Sequence, residues 1–209
     1  MQIERALKAA PNEDRRRFGQ ISIRKTNGGG FVLAHHDDED REELQIFRNA
    51  EDGAQIARSD DAGIYRPLKT APNLRHGWRL EVVDLSQLRL ALDLFYPGRL
   101  AIFTAWKENQ LKTTPLRETL DRQSGMYRIA AKISDEQIDE LVGDFCRSNG
   151  GCLRTILWKR DERGTVPSTK LPEAKYDPRL EDGSAIPLLC QEACNLLVNE
   201  CRKVVKGEL

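Results

Sequence analysis

Hydrophobic and polar positions along the chain alternate between strand-like and helix-like spacing. Ile21 and Ile23 alternate with Ser22 and Arg24, which predicts a strand over residues 18–26. Asn27-Gly28-Gly29-Gly30 tolerates positive φ and predicts a hairpin turn, with a return strand over residues 31–36. Before it, residues 3–10 suggest a short helix ended by Pro11, and Arg15 to Arg17 read as a solvated connection. Ala54, Ile56 and Ala57 suggest another short helix. After Asp84-Leu85-Ser86-Gln87, the residues Leu88, Leu90, Ala91, Leu92, Leu94 and Phe95 predict a deeply packed helix that Pro97-Gly98 ends. The nearly unbroken apolar run that follows predicts a buried strand over residues 99–106.

The second half repeats the theme. Residues 109–123 contain an amphipathic helix starting near Pro115, and residues 127–133 form a strand candidate. Ser134-Asp135-Glu136-Gln137 has the Ser-x-x-Gln form of a capping box. Ile138, Leu141, Val142 and Phe145 then recur every three or four residues and define one buried helix stripe, with Cys146 on its last turn. Ser148-Asn149-Gly150-Gly151 ends that helix, and a strand is predicted over residues 152–158. Residues 159–187 show neither period and read as a long surface loop, a candidate cover for a site. A last helix is expected from Pro187 to Val205. The fold class expected is α+β: small mixed or antiparallel sheets flanked by helices, in two packed subdomains spanning residues 1–98 and 99–209.

Composition narrows the function. In 209 residues, 33 Lys plus Arg balance 33 Asp plus Glu, so no net field draws the chain to nucleic acid. No apolar run approaches the roughly 20 residues that span a bilayer, so no membrane association is expected. The N-terminal stretch lacks the apolar centre of a secretory signal, which implies a cytoplasmic setting.

All five cysteines fall in the last third: Cys146, Cys152, Cys190, Cys194 and Cys201. In a reducing compartment such a cluster reads as metal ligation rather than a disulfide framework. Two close pairs, Cys146 with Cys152 and Cys190 with Cys194, present four thiolates to one centre, the donor set of structural zinc and of [4Fe–4S] clusters. Five residues separate the first pair and no His follows His76, which favours the iron–sulfur cluster over zinc. On a continuous helix Cys190 and Cys194 share one face, and Cys201 lies about 10 Å beyond Cys194, so it is expected to be a packing residue.

Other candidate chemistry is thinner. His35-His36-Asp37-Asp38-Glu39-Asp40 has metal-binding residue types, but adjacent strand residues point to opposite faces, so a solvated turn is expected. Arg66, Lys69 and Arg75 could cradle an anion; alternatively their segment pins Tyr65, Leu68, Leu74 and Trp78 onto the core. Phosphate-loop, dinucleotide, zinc-protease and nucleophile-elbow motifs are absent, so no catalytic constellation is visible.

Gly125-Met126-Tyr127, Phe145-Cys146, Gly151-Cys152-Leu153-Arg154-Thr155-Ile156-Leu157-Trp158 and Pro187-Leu188-Leu189-Cys190-Gln191-Glu192-Ala193-Cys194 together resemble a [4Fe–4S]-binding domain found C-terminally in certain sirohydrochlorin cobaltochelatase-like proteins. Upstream, the run from Tyr65 to Arg75 and Tyr96-Pro97-Gly98 resemble the companion stabilising domain of those proteins. The resemblance implies that the cluster ligands are Cys146, Cys152, Cys190 and Cys194, and it gives Cys201 no role. It also implies a link to tetrapyrrole or cobalamin metabolism. It does not carry over chelatase activity, because that requires a separate histidine-bearing α/β unit and the three histidines here lie in scattered settings.

The reading is therefore an iron–sulfur protein whose cluster transfers electrons or holds the fold together, with a redox or tetrapyrrole-pathway protein as partner. The alternative from another class is a zinc-stabilised module whose Arg66–Trp78 segment contacts a protein or an anionic ligand. A cluster-dependent enzyme of tetrapyrrole metabolism is a third.

Overall fold

The protein is described here from a computed structural model, covering residues 4, 15–38, 40–66, 73–147, 152, 154–162 and 185–208. The chain forms two units: Met1–Asn109 with Pro178–Leu188, and Gln110–Asp177 with Leu189–Leu209. Residues 99–109 thus group with the N-terminal unit, whereas the sequence reading began its second domain at residue 99. Both units together make an α+β protein. No helix among the described residues is long and apolar enough to cross a membrane.

The first unit is built on a six-stranded mixed sheet. Its strands are β1 (Arg15–Phe18), β2 (Ile21–Lys25), β3 (Phe31–His35), β4 (Gln45–Phe47) and β5 (Trp78–Val82). A sixth strand, Ala185–Ile186, returns from far along the chain, giving the order β4, β5, β3, β2, β1 and then this strand. The tri-arginine segment is therefore strand rather than solvated connection. Gly19, at φ +60°, breaks the expected first strand into a β1–β2 hairpin, in which Arg15 pairs with Arg24 and Phe18 with Ile21. The predicted β2–β3 hairpin is present, with Ile21 opposite His35 and Lys25 opposite Phe31. Central strand β3 is buried at all five positions.

The helices of this unit are α1 (Asp52–Ile56), α2 (Leu85–Phe95) and α3 (Arg99–Lys107). Asp84 caps α2 by accepting the Gln87 backbone N–H at 2.9 Å, and Leu88, Ala91, Leu92 and Phe95 form its buried stripe. Trp78 stacks on Phe95 with centroids 5.0 Å apart, and Tyr96 meets Phe18 edge-on at 5.4 Å. The expected strand over residues 99–106 is instead helix α3. Its burial is one-sided, through Leu100, Phe103 and Thr104 at i, i+3 and i+4, and Gly98 at φ +71° supplies the reversal that starts it. A run of small and apolar residues cannot by itself separate a buried strand from a short amphipathic helix.

Gly19 also sits where a side chain has no room. A Cβ there would lie 2.7 Å from the ring of fully buried Tyr96, whose hydroxyl accepts the Gln20 backbone N–H at 3.0 Å. Gly19→Ala combines a left-handed backbone penalty with this clash. We expect a loss of about 2–3 kcal/mol, read as a lower urea midpoint at unchanged m-value.

Three further sequence expectations fail in this unit. His35 is fully buried at the end of β3, not in a solvated turn, and burial with the neighbouring His76 and His36 rings pushes its pKa down to about 4. Tyr65, an expected anchor, is largely exposed, whereas Leu74 and Trp78 are fully buried as anchors. Arg66, offered as an anion ligand, is itself buried and donates to the Ala57 carbonyl at 3.2 Å. Lys69 and Leu68 lie outside the described residues, as do the expected helix over residues 3–10, apart from Glu4, and most of the expected loop over residues 159–187.

The second unit contains helices α4 (Leu116–Ser124), α5 (Ile129–Lys132) and α6 (Asp135–Leu141), then a wide π-type turn over Val142–Arg147. The strand expected over residues 127–133 is α5. Arg128 in a left-handed conformation starts it, and Ile129 and Ile133, four apart, are both buried. The capping box at Ser134 forms as predicted, with Gln137 N–H donating to Ser134 Oγ at 3.2 Å and Ser134 N–H to Gln137 Oε1 at 2.9 Å. A short parallel pair, β6 (Thr155–Ile156) with β8 (Leu189–Cys190), completes the unit, and the returning strand Ala185–Ile186 is β7. Among the described residues of the strand expected over 152–158, Thr155 and Ile156 pair in this way.

The last helix is α7 (Asn195–Lys206), beginning eight residues later than the sequence suggested. Ile186, Leu188, Leu189 and Cys190 are all buried, a pattern that fits an extended chain crossing the core and not one helix face. Helical one-sidedness begins only with Leu197, Val198 and Cys201.

Candidate metal centre

Cys146, Cys152, Cys190 and Cys194 line one small cavity of the second unit, together with Phe145, Arg154, Ile156, Trp158, Ala193 and Leu197. Each thiol arrives on a different device. Cys146 sits in the π-type turn that ends the α6 segment, and such widened turns re-aim side chains where a site needs them. Cys152 lies ahead of β6, although the glycine turn expected just before it is outside the described residues. Cys190 ends β8, opposite Ile156 of β6. Cys194 is the N-cap of α7, where the unpaired N–H groups and helix dipole favour a thiolate. The one-turn helical pairing of Cys190 with Cys194 is thus corrected to strand end plus helix cap.

Two hydrogen bonds engage the sulfur of Cys190. The Trp158 indole N–H donates to its sulfur at 3.3 Å, and the thiol donates to the Glu192 carbonyl at 3.0 Å. Trp158 is held because β6 pairs with β8 and Leu157 N–H donates to the Cys190 carbonyl at 3.0 Å. Burial pushes the Cys190 thiol pKa up, opposed by the positive charge of Arg154 and the Trp158 N–H. A metal held by this sulfur would take the place of its proton and free it from Glu192.

Cys201 stands apart from this cavity. It is fully buried in the apolar cluster with Leu116, Leu120, Ile129 and Leu197, and burial pushes its pKa up to about 12. That thiol stays protonated and packs as a small hydrophobe.

Four thiols around one cavity fit a [4Fe–4S] cluster, in which each iron takes one thiolate. Phe145, Ile156 and Leu197 give the cavity an apolar wall, and Arg154 brings a positive charge to it.

The other sequence candidates do not join this site. Arg75 lies over the Phe47 ring at 5.8 Å and lines a surface cleft with Arg58, Asp61 and His76 of the first unit. The histidines, scattered in sequence, converge in that same unit, as described below. Nothing in the local pattern around His76 signalled this, because the contact depends on the pairing of β3 with β5.

Comparison with known proteins agrees with this division. Residues 108–203 match the model of a 4Fe-4S iron–sulfur cluster binding domain, and residues 3–110 match that of the DR2241 stabilising domain. The cofactor of the second unit is therefore a [4Fe–4S] cluster. A crystal structure of DR2241 from Deinococcus radiodurans is similar at a TM-score of 0.73 and 28% identity, over 92% of this chain. That protein is described as multi-domain, with structural similarity to chelatases and two additional novel domains, and the present chain spans 39% of its length. No curated protein matches the chain. With half of its length matched by that one model, the chain belongs to the DR2241 stabilising domain family, here followed by a 4Fe-4S iron–sulfur cluster binding domain.

Proposed function

We propose that Cys146, Cys152, Cys190 and Cys194 hold one [4Fe–4S] cluster and that this cluster passes single electrons to or from a partner protein. The observation that carries the reading is the uneven burial of the four thiols. Cys146 and Cys190 are each 8% exposed, whereas Cys152 and Cys194 are only partly buried. A purely structural cluster gains nothing from an accessible edge, while an electron carrier needs one. Trp158 and the cap position of Cys194 supply the hydrogen bond and dipole through which a protein tunes a cluster's potential.

The partner is a redox or tetrapyrrole-pathway protein. The similarity to a chelatase-like protein supports this, as does a balanced charge that gives nucleic acid no purchase. Clustered free thiols suit the reducing cytoplasm. The test is anaerobic purification followed by metal analysis and redox titration. Iron and sulfide in equal amounts, one cluster per chain, should bleach reversibly with dithionite. Trp158→Phe should lower the reduction potential, because a hydrogen bond to sulfur favours the more negative reduced state. Colourless protein with stoichiometric zinc would sink the cofactor, and a cluster that cannot be reduced would sink the electron-transfer role.

A further inference from the structure

All three histidines of the chain meet at one place in the first unit, which the sequence order conceals. The His35 ring lies 4.0 Å from that of His76 and 4.8 Å from that of His36, centroid to centroid. Their nitrogens surround one carboxylate. His36 Nδ1 is 2.8 Å from Asp37 Oδ1, while His35 Nδ1 and His76 Nε2 are 3.7 and 3.9 Å from Asp37 Oδ2. His35, His36 and Asp37 offer ligand atoms that all lie within 4.8 Å of one another.

We propose that His35, His36, His76 and Asp37 form a binding site for one divalent transition-metal ion of the zinc or cobalt class. Metal–nitrogen bonds of about 2.0–2.1 Å in tetrahedral geometry place ligand atoms about 3.4 Å apart, close to the separations seen around Asp37. Three imidazoles and one carboxylate suit such borderline ions and not magnesium or calcium, which take oxygen.

The surrounding hydrogen bonds match the roles that metal ligation requires. His35 Nδ1 accepts the Asp37 backbone N–H at 3.2 Å, which puts its lone pair on the Asp37 side and the ring proton on buried Nε2; an ion taken by Nδ1 would displace that long hydrogen bond. The Asp61 carboxylate accepts from His76 Nδ1 at 2.7 Å and from the His76 backbone N–H at 2.7 Å. That bond leaves the lone pair of His76 on Nε2, the atom directed at Asp37, in the carboxylate–histidine arrangement that orients metal ligands. Asp38 accepts the Gly77 N–H at 2.6 Å and so ties the turn bearing His36 and Asp37 to the residue after His76. Asp37 is largely exposed, which leaves the ion a route in.

The test uses the full chain with its cysteines either loaded with cluster or alkylated, so that thiols cannot take the added metal. Titration with zinc chloride should give one ion per chain, and cobalt chloride should give weak visible bands without the intense sulfur-to-cobalt absorption in the near ultraviolet. His76→Ala should weaken zinc binding at least about 100-fold and Asp61→Asn about 10-fold, both with the far-ultraviolet dichroism of the parent. Because variants of a buried cluster can misfold, the unmodified chain labelled with ¹⁵N-histidine provides a second reading. All three imidazoles should shift at one equivalent of zinc. Unmoved imidazoles, or zinc binding that survives the paired change His36→Ala and His76→Ala, would overturn the proposal.

Discussion

Cys190→Ser is expected to abolish the cluster, while Cys201→Ser keeps it. Serine offers a hydroxyl that does not ionise near neutral pH, so a cluster position loses its fourth bond, and Cys190 in addition loses the sulfur that Trp158 bonds. Iron content and visible absorption of Cys190→Ser should fall to background, with the same result for Cys146→Ser. The protein should lose the stability that cluster binding lends the folded state, since cofactor binding and folding are linked. Cys201→Ser instead buries a hydroxyl among Leu116, Leu120 and Leu197. Its helical position lets that hydroxyl bond the carbonyl four residues earlier, which keeps the cost at about 1 kcal/mol. The two variants thus separate cofactor loss from packing loss. A bleached Cys201→Ser beside a brown Cys146→Ser would show that the ligand set proposed above is wrong.

Arg160→Leu should be the most damaging change outside the cysteines, at about 3–5 kcal/mol. Arg160 pairs with buried Asp139 and reaches Asp135 at 2.9 Å, while Arg117 also pairs with Asp135. Its backbone carbonyl accepts the Arg117 N–H at 2.9 Å, next to the Lys159 carbonyl that accepts Leu116 N–H at 2.8 Å, so the same segment satisfies the first turn of α4. Removing the guanidinium leaves Asp139 as an uncompensated buried charge. Adding Asp139→Leu should therefore recover most of the loss, and the double-mutant cycle measures the coupling. The pair also bears on the metal centre, because α6 leads into the turn with Cys146 and Arg160 closely follows Trp158. Arg160→Leu should lose iron to a chelator faster than the parent does.

Acid should act on the same network. The hydrogen bond from Arg117 holds the Asp135 carboxyl below its usual 3.8. A depressed folded pKa contributes stability that is present above the unfolded value of 3.8 and is lost as pH falls through the lower folded value. The carboxylate is nearly half exposed, so salt screens the pair and its contribution is small.

Much of the local architecture was legible from the chain alone, for reasons that are themselves local. The capping box at Ser134, the Asp84 cap and the β2–β3 hairpin depend on side chains three residues apart or on glycines that accept positive φ. The misreadings share a different cause. Residues 99–106 and 127–133 are short apolar stretches whose period is ambiguous, and only what packs on them distinguishes strand from helix. Cys190 looked helical because four-residue spacing to Cys194 suits a helix, yet the pairing of β8 with β6 holds it extended. His35 looked solvated because acidic residues follow it, yet it closes a strand buried along its whole length.

The amino-acid order by itself showed that two close pairs of thiols could serve one metal centre, because clustered thiols define a donor set wherever they fold. Tertiary structure alone decided which devices carry those thiols, that they line one cavity, and which two are the less buried. It also gathered His35, His36 and His76. Those outcomes depend on strand pairings between residues 34 positions apart for β6 with β8 and 45 to 51 apart for β3 with β5, and no local period encodes a contact at that range.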